Sequence, residues 1–415
     1  MLPVPARILP ESQILAGTVI FLASYVVFAL GKFPGLKIDR TGAAIIGAIA
    51  MVVLRVVPGR EALRSVDFAT IVLLFAMMLV VGGLKLSGFF EWNAELLLKH
   101  LRPSWLLPAV VLSSGLLSAV FVNDIVCLVM VPFILSLTQK LRLSPMPFLL
   151  AVATSSNIGS VATITGNPQN MLIGSFSGIT YRDFLLHLGP VALAGLAINW
   201  AVLHGMFRRQ LRSGQATSES IPLPSLDLSH LLKPVLIASG VVLAFLFGIP
   251  PVWAASAGAA ILLISRNRDP RKLYAEIDWG LLVFFVGLFI IVGGAENAGL
   301  VDRLLQFGQH WNLHRPAVFT VVTALFSNVV SNVPAVMLLK SLVVNFANPY
   351  KAWLLLAMSS TLAGNLTITG SVANIIVVES ARPLIHVGFW DYCRVGVPIT
   401  ILTILFGTLW LTSVP

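Results

Sequence analysis

Two stretches constrain this chain more than any other feature: Ser155–Asn170 (SSNIGSVATITGNPQN) and Ser359–Asn374 (SSTLAGNLTITGSVAN). They share Thr163-Ile164-Thr165-Gly166 with Thr367-Ile368-Thr369-Gly370, and then Asn170 with Asn374. Each crowds Gly, Asn and Thr into the middle of a run that is otherwise apolar enough for a long helix. Such a helix breaks. At membrane depth, freed backbone groups persist only where they are buried in protein or line a wet cavity. Two breaks at matching places in two halves are a sequence sign of a transporter's binding site.

The surrounding composition puts those breaks in a membrane. The chain is 57% hydrophobic and 11% charged, with a mean hydropathy of +0.92, whereas soluble domains average about 25% charged residues. Apolar spans are expected at 13–31, 41–57, 67–86, 146–165, 185–207, 233–249, 251–265, 278–295, 352–369 and 391–412. The first of these reads as a true span and not as a cleavable leader. The runs are not the short alternating segments of a β-barrel. The two cysteines, Cys127 and Cys393, fit no metal spacing and no disulfide framework. A formal charge of +10 does not imply nucleic acid, because the basic residues sit in short loops where topology demands them.

Two further apolar pairs, 105–121 with 124–141 and 316–330 with 333–347, are joined only by Asn123-Asp124 and by Asn332-Val333-Pro334. Links so short read as the tips of re-entrant hairpins; two ordinary spans joined by a tight turn are the alternative. Matches continue in order between the halves: Asp67 with Asp278, Gly82-Gly83 with Gly293-Gly294, Asn123 with Asn332, Asp183 with Asp391 and Pro190 with Pro398. The expected fold is an all-α polytopic membrane protein of two inverted repeats, each with five transmembrane helices and one re-entrant hairpin. The first repeat covers 1–207, with hairpin 105–141 and broken helix 146–176. The second covers 233–415, with hairpin 316–347 and broken helix 352–379, and a cytoplasmic linker, 208–232, joins them.

With ten spans, about 18 of the 27 Lys and Arg, Arg40 among them, fall on one side, which is therefore cytoplasmic. Both termini are then outside. Phe89–Leu101 is too charged to cross and is expected to lie along the cytoplasmic interface as an amphipathic helix.

Asp124 is the outstanding ionisable residue, since intramembrane carboxylates default to proton or cation sites; a capping role at the helix that follows is the competing reading. Neutral oxygens and amides surround the first break at Asn123, Ser155, Ser156, Asn157, Thr163, Thr165, Gly166, Asn167 and Asn170. Asn328, Ser331, Asn332, Ser360, Thr361, Asn365, Thr367, Thr369, Gly370, Ser371 and Asn374 do so around the second. Oxygens of this kind suit a hard cation, and helix N-termini suit an anion or a hydrogen-bonding neutral solute. The competing reading of a single Ser or Thr is interhelical packing. No phosphate-binding loop and no Ser/His/Asp set is present, so an enzyme is not expected. No metal or organic cofactor is expected either.

FFEWNAELLLKHL, FVNDIVCLVMVP, SNIGSVATITGNPQNMLIG and FSNVVSNVPAVML together resemble the arsenite permease and sodium–proton antiporter branch of the ion transporter superfamily. That superfamily also contains divalent anion–sodium symporters and citrate carriers. The resemblance covers nearly the whole chain. It implies inverted repeats, an elevator-type movement, a homodimer in the plasma (inner) membrane and a peripheral ATPase partner. It also implies that Asn123, Asp124 and the polar residues of both breaks surround the substrate and a coupling ion, H+ or Na+. Arsenite exporters carry Asp-x-Gly-Pro-Lys at the second break, where Gly364-Asn365-Leu366-Thr367-Ile368-Thr369 stands here. Export of arsenite, antimonite or another small inorganic anion is the leading expectation. Sodium–proton antiport and sodium-coupled dicarboxylate or citrate symport are the alternatives, and the lack of Arg or Lys in the breaks counts against a dicarboxylate.

Overall fold

A computed structural model describes residues 9–31, 35–90, 92–93, 105–212, 228–264, 269–301, 303, 306 and 312–413. Its described secondary structure is helical throughout. In chain order the helices are α1 (Glu11–Leu30), α2 (Arg40–Val53), α3 (Gly59–Ser65), α4 (Phe68–Leu86), α5 (Leu106–Val120) and α6 (Asn123–Lys140). Then come α7 (Met146–Ser160), α8 (Pro168–Ser177), α9 (Tyr181–Arg212), α10 (Leu228–Leu246), α11 (Pro251–Leu263) and α12 (Pro270–Tyr274). The chain finishes with α13 (Trp279–Asn297), α14 (Pro316–Val330), α15 (Asn332–Val343), α16 (Pro349–Ala363), α17 (Val372–Ala381) and α18 (Phe389–Ser413). Six of these helices are long and apolar enough to cross a membrane.

Both long helices with polar centres are broken where the sequence reading puts the breaks. The first runs as α7, a short 3-10 turn at Ile164–Gly166, and α8. The second runs as α16, a 3-10 turn at Ile368–Gly370, and α17.

The turns between paired helices lie earlier than expected. Phe121 and Val122 join α5 to α6, and Asn123 and Asp124 already belong to the first turn of α6. Ser331 alone joins α14 to α15, at φ 78° and ψ 156°. Pro334 is tolerated inside α15 because first-turn N–H groups have no intrahelical partner to lose. The inter-half linker is also shorter than expected: α9 continues to Arg212 and α10 starts at Leu228, while 213–227 lie outside the described residues. Of the expected interfacial helix 89–101, Phe89, Phe90, Trp92 and Asn93 are helical, and 94–101 lie outside the described residues.

Direction is readable from side-chain contacts. Thr41 Oγ1 donates to Gly280 O at 3.3 Å near the starts of α2 and α13, and Asn297 Nδ2 donates to Val56 O at 3.4 Å near their ends. The two helices therefore run parallel. Between them, a β-carbon at Gly287 would stand 2.7 Å from Ala44 O, so only glycine permits this approach. Helix α4 runs the other way along α13: Ser65 lies against Gly293, Phe75 against Trp279, and Lys85 pairs with Glu276 at 2.6 Å. Helices α4 and α13, which open on the matched Asp67 and Asp278, point in opposite directions.

A tighter approach packs α5 on α7. A β-carbon at Gly159 would sit 1.9 Å from Gly115 O, a backbone atom that cannot swing aside. Gly159→Ala is therefore expected to destabilise by about 1–3 kcal/mol, the usual cost of overpacking. Gly205→Ala, with nothing within 4 Å of its β-carbon, is expected to be neutral or stabilising by up to about 1 kcal/mol through helix propensity. Thermal unfolding of the purified protein separates the two, and equal midpoints would show that the α5–α7 contact yields.

Candidate transport site

The two breaks share a backbone course and a clasping asparagine. Thr163 has φ −137° and ψ 161°, and Thr367 has φ −138° and ψ 164°. Asn170 Nδ2 reaches back to Ser160 O and Thr163 O, each at 3.0 Å. Asn374 Nδ2 does the same to Gly364 O at 2.6 Å and Thr367 O at 3.1 Å. Each side-chain amide thus bridges two carbonyls: Ser160 O and Gly364 O, which gain no backbone N–H partner at the interruption, and Thr163 O and Thr367 O, which also accept from Gly166 N at 3.4 Å and Gly370 N at 3.1 Å. Left bare, such buried groups cost about 1–3 kcal/mol apiece.

The oxygen of each clasping amide turns to the other half. Asn374 Oδ1 accepts from Asn157 Nδ2 at 3.0 Å, and Asn170 Oδ1 accepts from Thr361 Oγ1 at 3.4 Å. Around Asn157 the network thickens: its Nδ2 also donates to Asn365 Oδ1 at 2.9 Å, and its Oδ1 accepts from Asn123 Nδ2 at 2.9 Å and Ser371 Oγ at 3.0 Å. Around Thr361, Asn167 Nδ2 and Gln169 Nε2 both donate to Oγ1 at 3.2 Å. Breaks and first hairpin therefore form one hydrogen-bonded unit.

The hairpin turns are not equivalent. In the second, Ser327 Oγ donates to Asn332 Oδ1 at 2.7 Å. In the first, the corresponding Ser118 Oγ and Asn123 Oδ1 are buried without any partner among the described residues. Asp124 stands beside them, half-buried in the first turn of α6 and making no capping hydrogen bond.

Both hairpin turns and the starts of α8 and α17 meet at a cavity of about 360 Å³. Of the residues expected from sequence, Asn123, Asp124, Ser331, Asn332 and Ser371 line it. The rest lie elsewhere. Asn157, Asn167, Asn170, Thr361, Asn365 and Asn374 are buried in the network behind the cavity. Ser155 accepts from Asn199 at 2.7 Å, and Ser156 accepts from Cys127 at 3.0 Å. Ser360 bonds Ala357 O of its own helix at 3.3 Å. Thr163 donates to Ala119 O, and Thr165 lies 3.2 Å from the Tyr181 hydroxyl. Thr367 donates to Asn328 Oδ1 at 3.0 Å, and Thr369, exposed, contacts Thr367 at 3.3 Å. Gly166 packs on the Ser160 backbone and Gly370 against Asn328.

The cavity also has a wall that the sequence reading did not anticipate, formed by Asp39, Arg40 and Thr41 at the start of α2 and by Asp278, Gly280, Leu281 and Phe284 at the start of α13. Gln169, 3% exposed, joins from α8. Its place after the helix-opening Pro168 was the available signal. For Asp278 the signal was its match to Asp67.

The model of the family described as citrate transporter (CitMHS) matches residues 25–363. The chain belongs to the citrate transporter family. Among its relatives is the silicon efflux transporter LSI3 of Oryza sativa subsp. japonica, 31% identical over 95% of this chain and 97% of that one. A Dictyostelium discoideum protein bearing the transporter name arsB is 25% identical over 90% of this chain and 87% of its own. The fold is similar to that of the Alcanivorax borkumensis YdaH transporter crystal structure, with a TM-score of 0.61 at 13% identity, covering 97% of both chains. This family member is a multi-pass membrane transporter and not an enzyme.

Asn157 carries four side-chain bonds that link the first hairpin to the second break. Asn157→Ala should therefore lower stability by about 2–3 kcal/mol, as several buried polar groups lose partners at once. Ser360→Ala, which loses one bond inside its own helix, should change it little. Indistinguishable unfolding midpoints for the two variants would show that the network is not cooperative.

Proposed function

We propose that this protein is a secondary active transporter that exports arsenite, antimonite or another small inorganic anion, with H+ or Na+ coupled through Asp124. The observation that carries this reading is the cavity: the Asp124 carboxylate and neutral donors and acceptors from both hairpin turns and both breaks meet at a single point, facing a wall that carries Asp39, Arg40 and Asp278. Arsenous acid is small, polyhydroxylated and largely neutral near neutral pH, and a lining of amides and hydroxyls suits it. The relative named for silicon efflux supports a substrate of the same kind, because silicic acid is also a small, mostly neutral polyhydroxy acid. The unpartnered Ser118 and Asn123 oxygens beside Asp124 are where a coupling cation would find ligands.

The cavity lies along a seam. On one side are the hairpins and broken helices, which share the asparagine network. On the other are α1, α2, α4, α11 and α13. The seam is crossed by Tyr25 donating to Pro334 O at 3.1 Å and by a Lys340–Glu296 pair at 3.6 Å. An elevator-type movement of the first group against the second exchanges few contacts of this kind, and it leaves the clasps intact. The halves 1–207 and 233–415 act as the inverted units, in the plasma membrane with both termini outside. A second reading, sodium-coupled citrate or dicarboxylate symport, is favoured by one observation: Arg40 on the cavity wall.

Proteoliposomes tested with arsenite, antimonite and succinate under imposed pH and sodium gradients distinguish these. Gradient-driven arsenite movement supports the proposal, sodium-driven succinate uptake supports the second reading, and cation exchange indifferent to any solute means antiport. Asp124→Asn should keep the fold and lose at least about tenfold of the gradient response, as expected for an intramembrane proton or cation site. An undiminished response in that variant sinks the coupling role.

A further inference from the structure

We infer that Arg40 is the anion-recognising residue of the cavity, and that it serves the site from one side of the membrane only. This rests on the transport reading above and narrows its substrate class to a solute that binds as a small oxyanion or carboxylate.

Three charged side chains stand on the wall that α2 and α13 present to the hairpin turns. The two acids are engaged with their own helices: Asp39 Oδ1 accepts from Gly42 N at 2.8 Å, and Asp278 Oδ1 from Leu281 N at 2.9 Å. Arg40 is different. Its Nε donates to Phe28 O at 3.0 Å, and among the described residues no carboxylate lies within 4.0 Å of its guanidinium. Among the described residues, one of its five N–H groups is used. Asp39, Asp124 and Asp278 share the cavity without closing on it; a half-buried guanidinium that no carboxylate touches is costly, and its planar fork matches a carboxylate or oxyanion with two parallel bonds. The tie to Phe28 explains an anchor between α1 and α2. It does not explain why the remaining donors are kept beside the cavity.

The second half offers a comparison inside the same molecule. Gly47 of α2 packs on Ile291 of α13, and Gly258 of α11 packs beside Val80 of α4. These are the same helix pairing with the halves exchanged. In that register Arg40 corresponds to Pro251 and Asp39 to Pro250, while Asp278 keeps its counterpart in Asp67. One wall carries a cation and the other carries proline. A solute reaching the site past α2 and α13 meets Arg40; one reaching it past α4 and α11 meets no such charge. The loop charges put Arg40 on the cytoplasmic side, so affinity is high where an exporter loads and low where it releases. Such asymmetry drives nothing by itself. It sets the concentration at which each face saturates.

The test is a side-resolved KM in proteoliposomes of known orientation, with inorganic phosphate and citrate as probes. For whichever probe the wild type moves, R40Q should raise the KM on the Arg40 side about tenfold, the scale of one lost charge-assisted hydrogen bond. The opposite-side KM should change less than about twofold, the order set by an untouched site. R40K, which keeps the charge without the fork, should fall between. P251R, which leaves Arg40 in place, should lower the KM on the opposite side. No rise in R40Q, or an equal rise on both sides, overturns the inference and leaves Arg40 as an anchor. If the wild type moves neither probe, neither is its transported solute, and binding decides Arg40. Stabilisation of the purified protein by citrate or inorganic phosphate, present in wild type and lost in R40Q, upholds its role; its absence from wild type, or persistence in R40Q, ends it.

Discussion

A helix interrupted inside an apolar protein leaves carbonyls and N–H groups that water cannot reach. Everything at the centre of this molecule follows from how those groups are satisfied. Two asparagines do the work, each folding its amide back over its own break and turning its oxygen toward the opposite half. A shorter polar side chain would not span both carbonyls, and a charged one would need a partner. The clasp makes an irregular backbone stable at depth. It also ties the two halves together beside the cavity.

The two halves share this device without being copies. Thr165 is fully buried beneath Tyr181, whereas Thr369 is exposed. Ser327 closes on Asn332, while Ser118 and Asn123 stay open to one another's absence. The open pair is the one beside Asp124, so the only carboxylate at a hairpin turn comes with unspent oxygen ligands. Val333 occupies the corresponding place in the other hairpin. The charge at the hairpin turns thus lies in one half, while the second half brings its own carboxylate, Asp278, to the cavity wall.

Much of this was legible in the sequence, because the signals were local. Thr-Ile-Thr-Gly followed by Asn announced both breaks, and Asn123-Asp124 and Asn332-Val333-Pro334 announced both hairpin turns, each displaced by one or two residues from where the chain turns. What stayed hidden was apposition. Arg40 reads in the sequence as one more basic residue after a span, and only packing of α2 along α13 brings it to the same cavity as Asp124. The roles of Asn157 and Thr361 were visible as polarity but not as cross-linking, since their partners lie in the opposite half of the chain. Several residues expected at the site, Ser155 and Ser156 among them, turned out to bond to α9 and α6 instead. In apolar helices, polarity marks importance without saying for what.

Helix α9 is 32 residues long, about 48 Å at 1.5 Å per residue, while the hydrocarbon layer is about 30 Å thick. It cannot fit upright within the layer. Its last turns, with the exposed Arg208 and Arg209, extend into the zone of lipid phosphates, which hold guanidinium groups well. The helix packs along α18, so a grip on the headgroups at one end is shared by a second membrane-long rod. The protein therefore carries its own depth gauge, and a change in bilayer thickness would be felt first as tilt of that pair.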